Sequence, residues 1–158
     1  MIRHNLSGLI ILLGFMAASV ALSAPWEQSD AQKKTTVYEM YAEYKKMDFP
    51  DVPDIHPRQA IAWAQSRPVV FVDTREKAEM AVSMLPNAIS RDVFLKHPEQ
   101  YTDKTIIAYC TISYRSGKFV QEMRHRNIPV VNLKGGLLAW VLEGGKVFDQ
   151  NGETHRIH

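Results

Sequence analysis

The stretch TIIAYCTISYRSGKFV, residues 105–120, holds the only cysteine of the chain, and its reading decides the fold. TIIAY (residues 105–109) is a short apolar run, the pattern of a strand buried on both faces. Cys110 stands at its carboxyl end. Residues 116–126 then read as a helix, with Phe119, Val120 and Met123 on its inner side. Between strand and helix, Thr111, Ile112, Ser113 and Tyr114 turn the chain over, and Arg115 leads into the helix.

The same alternation extends outward. PVVFVD (residues 68–73) and IPVVNL (residues 128–133) read as two further buried strands. Residues 35–47 are spaced helically, with Val37, Tyr41 and Tyr44 recurring. DFPDVPDIHP (residues 48–57) carries three prolines and reads as an extended connection. Pro57 suits the first position of a helix running to about Ser66. TREKAEMAVSM (residues 74–84) reads as helical, LPNAIS (residues 85–90) as a break, and FLKHPEQY (residues 94–101) as a short helix or loop. KGGLLAWVLEGG (residues 134–145) reads as a turn and a short helix. KVFDQNGETHRIH reads as a polar tail, and residues 24–34 as a linker. Alternating strands and helices predict an α/β fold: a central, mostly parallel sheet with helices on both faces. Ligands of such folds sit at the carboxyl ends of strands, where Cys110 lies.

The chain has 158 residues, 46% of them hydrophobic and 23% charged, which suits one globular domain with extensions. A net charge of +2 with scattered basic residues does not favour a nucleic-acid partner. Tyr38, Tyr41 and Tyr44 beside lysines read as one face of a helix rather than a base-stacking platform. The first residues differ from the rest. MIRHN is short and basic, residues 6–22 are nearly all apolar, and Ala21 and Ser23 suit a cut before Ala24. This is a secretory signal pattern. The rival reading is an uncleaved anchor through residues 6–22, just long enough for a bilayer core of roughly 30 Å. Both readings place the protein outside the cytoplasm, in a bacterial periplasm or facing outward on the inner membrane.

A single cysteine outside the cytosol cannot pair within its own chain. It is buried and inert, bonded to a partner, or reactive. The surroundings of Cys110 favour reactivity. A helix N-terminus presents free N–H groups and partial positive charge, a loop folded over it aims further N–H groups inward, and Arg115 adds a full charge. A thiolate in such a cradle can attack an electron-poor sulfur or phosphorus atom, and the cradle then holds the negative charge of the adduct.

Five segments in register make residues 55–145 resemble a rhodanese domain. IHPRQAIAWA resembles its opening helix and VVFVDTRE the strand ending in Asp-x-Arg. LPNAI resembles the family's turn, IIAYCTISYRSG the active-site strand and its Cys-x4-Arg-Ser loop, and VVNLKGGLLAW the last strand with Gly-Gly-x-x-x-Trp. The resemblance implies a sulfurtransferase. Cys110 would take a sulfane sulfur as a persulfide and pass it to a thiol acceptor on a small molecule or a protein. Thr111, Ile112, Ser113, Tyr114 and Arg115 would form the binding loop. Asp73, Arg75 and Ser116 would support it, and Gly135, Gly136 and Trp140 would be structural. No metal or organic cofactor is implied. Where the family's turn carries a histidine, this chain has Met84, and Ile112 and Tyr114 are bulkier and less charged than in thiosulfate-specific members. The resemblance implies a donor such as thiosulfate or a persulfide, and these departures make thiosulfate the poorer physiological one.

Two other classes stand beside this one. A phosphatase or arsenate reductase on the same scaffold uses a loop one residue longer. A non-catalytic binding module would dock through the helix at 35–47 or the apolar loop. Asp73 with Arg75 also reads as an ion pair bracing a strand end, and His155 and His158 as part of a solvated tail rather than a metal site. The expected organisation is a signal or anchor at 1–23, a linker and helix at 24–54, a rhodanese-like domain at 55–148 and a polar tail at 149–158.

Overall fold

A computed structural model describes residues 28–157 of the chain. The expected signal or anchor at 1–23 lies outside the described residues. Among the described residues, no helix is long and apolar enough to cross a membrane.

Five parallel strands form the sheet in the order β1-β5-β4-β2-β3: β1 (Asp54–Ile55), β2 (Val69–Asp73), β3 (Ile89–Ser90), β4 (Thr105–Tyr109) and β5 (Val131–Leu133). The expected α/β architecture is present. The runs of β2 and β4 are continuously apolar because both of their faces are covered. Val70, Val72, Ile106 and Ala108 point into one core with Tyr41, Phe49, Phe94, Phe119, Val120 and Met123. Phe71, Ile107 and Tyr109, one residue out of phase, point into the other with Ile55, Ala60, Leu137 and Trp140. The first core lies under α1 (Asp30–Asp48), α4 (Arg91–Lys96) and α5 (Tyr114–His125). The second lies under α2 (Pro57–Ser66) and α6 (Gly136–Leu142).

Several boundaries depart from the sequence reading. Residues 30–34, expected in a linker, belong to α1. Ser29 caps the helix in a capping box with Gln32, which satisfies backbone donors at its start. Residues 74–84 yield only the short helix α3 (Lys77–Val82). Thr74 and Arg75 are drawn away from it, since the Thr74 N–H donates to the Tyr109 carbonyl (2.9 Å) and the Arg75 N–H to Asp73 Oδ1 (3.0 Å). Two strands were missed because each is only two residues long: β1 inside the proline-rich connection and β3 inside LPNAIS. The expected polar tail is a hairpin of β6 (Val147–Asp149) and β7 (Gly152–Thr154). Buried Val147 and a bridge between Met84 and Phe148 dock it on the domain.

Candidate active site

β4 ends at Tyr109, and Cys110 follows at the carboxyl edge of the sheet with only 1% of its surface exposed. The helix begins two residues earlier than expected, at Tyr114, so Tyr114 and Arg115 stand in its first turn. The turn depends on Ser113, whose backbone is left-handed (φ 73°, ψ 4°). A non-glycine residue there is strained, and β5 supplies the restraint. The Ser113 hydroxyl donates to the Leu133 carbonyl, and Asn132 Nδ2 donates to the Ser113 carbonyl (3.3 Å). Among the described residues, no backbone carbonyl accepts the N–H groups of residues 111–116. The loop is thus a set of free donors at a helix start, an arrangement that suits an anion.

The carbonyls of the loop are satisfied from behind. The N–H groups of Leu137 and Leu138, at the start of α6, donate to the carbonyls of Cys110 (2.8 Å) and Thr111 (3.1 Å). Gly135 and Gly136 make this approach feasible. Gly136 has φ +60°, and a Cβ there would lie 2.4 Å from the Cys110 carbonyl oxygen. Trp140, at the end of the same motif, is core. Its ring meets Phe71 edge-on, and its Nε1 donates to the Lys146 carbonyl.

Arg115 is not the unopposed positive charge that the sequence suggested. Its Nη1 and Nη2 donate to both oxygens of Glu79 on α3 (2.6 and 2.7 Å), and the Thr111 hydroxyl donates to the same carboxylate (3.1 Å). Hydrogen bonding to Arg115 depresses the Glu79 carboxyl to about 2, with burial opposing the shift. The Arg115 guanidinium is held above its usual range by the Glu79 hydrogen bonds, with desolvation opposing the shift. Glu79 was not singled out in the sequence. It lies four residues beyond Arg75, among residues read only as helix.

Asp73 and Arg75 form a buried pair whose side chains hydrogen-bond to none of residues 111–115. Arg75 donates to both Asp73 oxygens (Nη2 to Oδ2, 2.7 Å) and to the Ser83 carbonyl (2.5 Å). They brace the segment after α3, where the Leu85 N–H donates to the Tyr109 hydroxyl (3.2 Å). Ser116 is buried in the first turn of α5, and its hydroxyl has no partner among the described residues.

Cys110, Thr111, Ile112, Tyr114 and Arg115 line a cleft of about 430 Å3, together with Tyr44 from α1. Tyr44 escaped the sequence reading as a site residue because it lies 66 positions before Cys110.

Comparison with known proteins agrees with this architecture. The chain is 30% identical over 87 residues to a sulfurtransferase of Allochromatium vinosum, covering 51% of this chain and 79% of that protein. It is 25% identical over 153 residues to a tRNA uridine(34) hydroxylase of Cupriavidus taiwanensis, covering 87% of this chain and 52% of that one. The chain spans about half the length of the first curated relatives it matches. A thiosulfate sulfurtransferase structure from Pseudomonas aeruginosa superposes with a TM-score of 0.59 at 22% identity, over 84% of this chain and 25% of that one. At that identity the likeness concerns the fold. The model of the rhodanese-like domain matches residues 56–143, more than half of the chain, and the chain belongs to the rhodanese-like family.

Proposed function

We propose that the protein is a sulfurtransferase acting through a persulfide on Cys110. The observation that carries this reading is a lone cysteine at the base of a Cys-x4-Arg loop whose N–H groups lack backbone acceptors. The Cys110 thiolate attacks the outer sulfur of a donor. A new S–S bond forms, the donor's own bond to that sulfur breaks, and the electron pair leaves with the donor's remainder. The resulting Cys110–S–S⁻ carries its charge on one diffuse terminal atom, for which a small nest of N–H groups suffices. An acceptor thiolate then attacks the terminal sulfur and regenerates the Cys110 thiolate. A phosphate or arsenate would bring several oxygens, each wanting a donor, and would need the wider loop of the phosphatase-type relatives.

The test is the intact mass of the full chain after exposure to a sulfane donor. The expected result is a gain of one sulfur atom on Cys110, reversed by a thiol and absent in Cys110→Ser, with aryl phosphates left intact. Hydrolysis of an aryl phosphate faster than sulfur transfer would falsify the reading. The absence of both activities would leave a binding module.

A further inference from the structure

The family match begins at residue 56, yet one wall of the cleft comes from α1, which ends at Asp48. Tyr44 meets Tyr114 of the cysteine loop edge to face, with ring centres 5.1 Å apart. Tyr114 in turn meets the fully buried Phe49 (6.2 Å). The Phe49 ring occupies the space beside Gly117 that a Cβ there would need (2.5 Å). This aromatic stack joins α1 to the first turn of α5.

α1 is fastened in place, so Tyr44 is not a loose surface side chain. The Tyr41 hydroxyl donates to Asp54 (2.5 Å). Lys45 Nζ donates to Asp54 (2.6 Å) and to the Val52 carbonyl (2.7 Å). Earlier along the helix, the Tyr38 hydroxyl donates to Glu143 (3.3 Å) and Lys34 pairs with the same carboxylate (3.3 Å).

The electrostatics of the cleft point the same way as its shape. Among the described residues, the one guanidinium lining it, Arg115, is already matched by Glu79 through two hydrogen bonds. Among the described residues lining the cleft, a small doubly charged donor such as thiosulfate would meet N–H dipoles but no free cation. An organic group beside the reacting sulfur would meet two tyrosine rings and Ile112. We infer that the cleft takes sulfane sulfur carried on an apolar organic group, an aryl or alkyl thiosulfonate or hydropersulfide, and that Tyr44 of α1 is the residue that selects it.

The inference rests on the sulfur-transfer reading of Cys110. With a thiosulfonate, the thiolate bonds to the outer sulfur, the bond from that sulfur to the sulfonyl sulfur breaks, and the electron pair leaves as a sulfinate. With thiosulfate the leaving group is sulfite, and with a hydropersulfide the donor's S–S bond breaks and a thiolate leaves, the proton staying on the transferred sulfur. No oxidant, reductant or added proton is required in any of these cases.

The experiment compares benzenethiosulfonate with thiosulfate, using the full chain and cyanide as common acceptor. The two donors share the outer sulfur and differ by a phenyl ring in place of a charged oxygen. The wild-type protein should prefer the aryl donor in kcat/KM by about tenfold or more, the scale of discrimination by an apolar pocket. Tyr44→Ala should cut that preference about tenfold, chiefly through KM for the aryl donor. Tyr44→Phe should keep it, since the ring rather than the hydroxyl makes the wall. Tyr44→Leu serves as a second variant should the alanine form fold poorly, and it should lower the preference in the same direction. An unchanged preference in folded Tyr44→Ala or Tyr44→Leu overturns the role of Tyr44. Equal use of both donors by the wild-type protein overturns the substrate class and leaves sulfur transfer standing. No sulfur on Cys110 from either donor overturns sulfur transfer, and this inference with it.

Discussion

Two arginines follow the carboxyl ends of neighbouring strands, and each meets a carboxylate, but in different surroundings. Arg75, after β2, pairs with Asp73 with both side chains at 0% exposure. Arg115, after β4, pairs with Glu79 at the rim of the cleft, with the side chains 38% and 13% exposed. The inner pair cannot exchange its partner for water. Arg75 also holds the Ser83 carbonyl, so the pair joins β2 to the chain beyond α3. The outer pair lies partly open to water. The same two chemical groups therefore serve as a fixed brace in one place and as a solvent-screened charge pair in the other, and burial makes the difference.

Removing half of the inner pair is the strongest way to break this contrast. Arg75→Ala leaves Asp73 charged, buried and without its partner, and should destabilise the fold by about 3–5 kcal/mol. Urea unfolding measures this. Replacing Asp73 and Arg75 together by apolar residues of similar size should recover most of that loss, because no lone charge remains. A loss for Arg75→Ala no larger than that of an exposed pair would end the distinction between the two sites.

A smaller loss of stability, with a larger effect on chemistry, is expected behind the cysteine loop. Gly136→Ala places a Cβ against the Cys110 and Thr111 carbonyls in a left-handed backbone. It should cost about 1–3 kcal/mol in stability. It should also slow persulfide formation beyond what the folded fraction explains, because the loop must move. Persulfide formation at the wild-type rate in folded Gly136→Ala would show that the loop does not need this support.

The outer pair should have the smallest effect on stability. Glu79→Gln should cost less than about 1 kcal/mol, since Arg115 is partly exposed and its charge is screened by solvent. The sign of its pH dependence follows from the depressed Glu79 carboxyl. Its contribution is complete above its ordinary value of 4.5 and disappears as pH falls through about 2. The stability gap between wild type and Glu79→Gln should therefore be constant from neutral pH down to about 4.5 and close between there and about 2. The same variant frees the Arg115 charge and should lower KM for thiosulfate roughly two- to fivefold, the worth of an exposed pair, with added salt erasing the gain. A pH-independent gap would show that Glu79 acts through packing rather than charge.

Much of this was legible in the sequence because it is local. Two continuous apolar runs, one cysteine at the end of the second, four residues to an arginine and a helix after it were enough to place the sheet and the loop. Pro57 at a helix start and the glycine pair before Leu137 were readable for the same reason, since each answers a backbone requirement within a few residues. The two-residue strands β1 and β3 were not legible, because such short segments have no periodicity and exist only through their neighbours. The β6–β7 hairpin read as a polar tail, since its docking through buried Val147 and the Met84–Phe148 bridge is long-range.

The tertiary structure decided what surrounds the cysteine. That Arg115 has a partner depends on α3 bringing Glu79 across 36 positions, and sequence spacing carries no signal of that approach. That a tyrosine from outside the family domain forms a wall of the cleft depends on α1 crossing to α5 and being tied to Asp54 and Glu143. The nucleophile and its loop are properties of a contiguous segment, written in backbone geometry that neighbouring residues impose. The charge and shape around them arise from long-range packing, where burial and distance set the strength of every interaction.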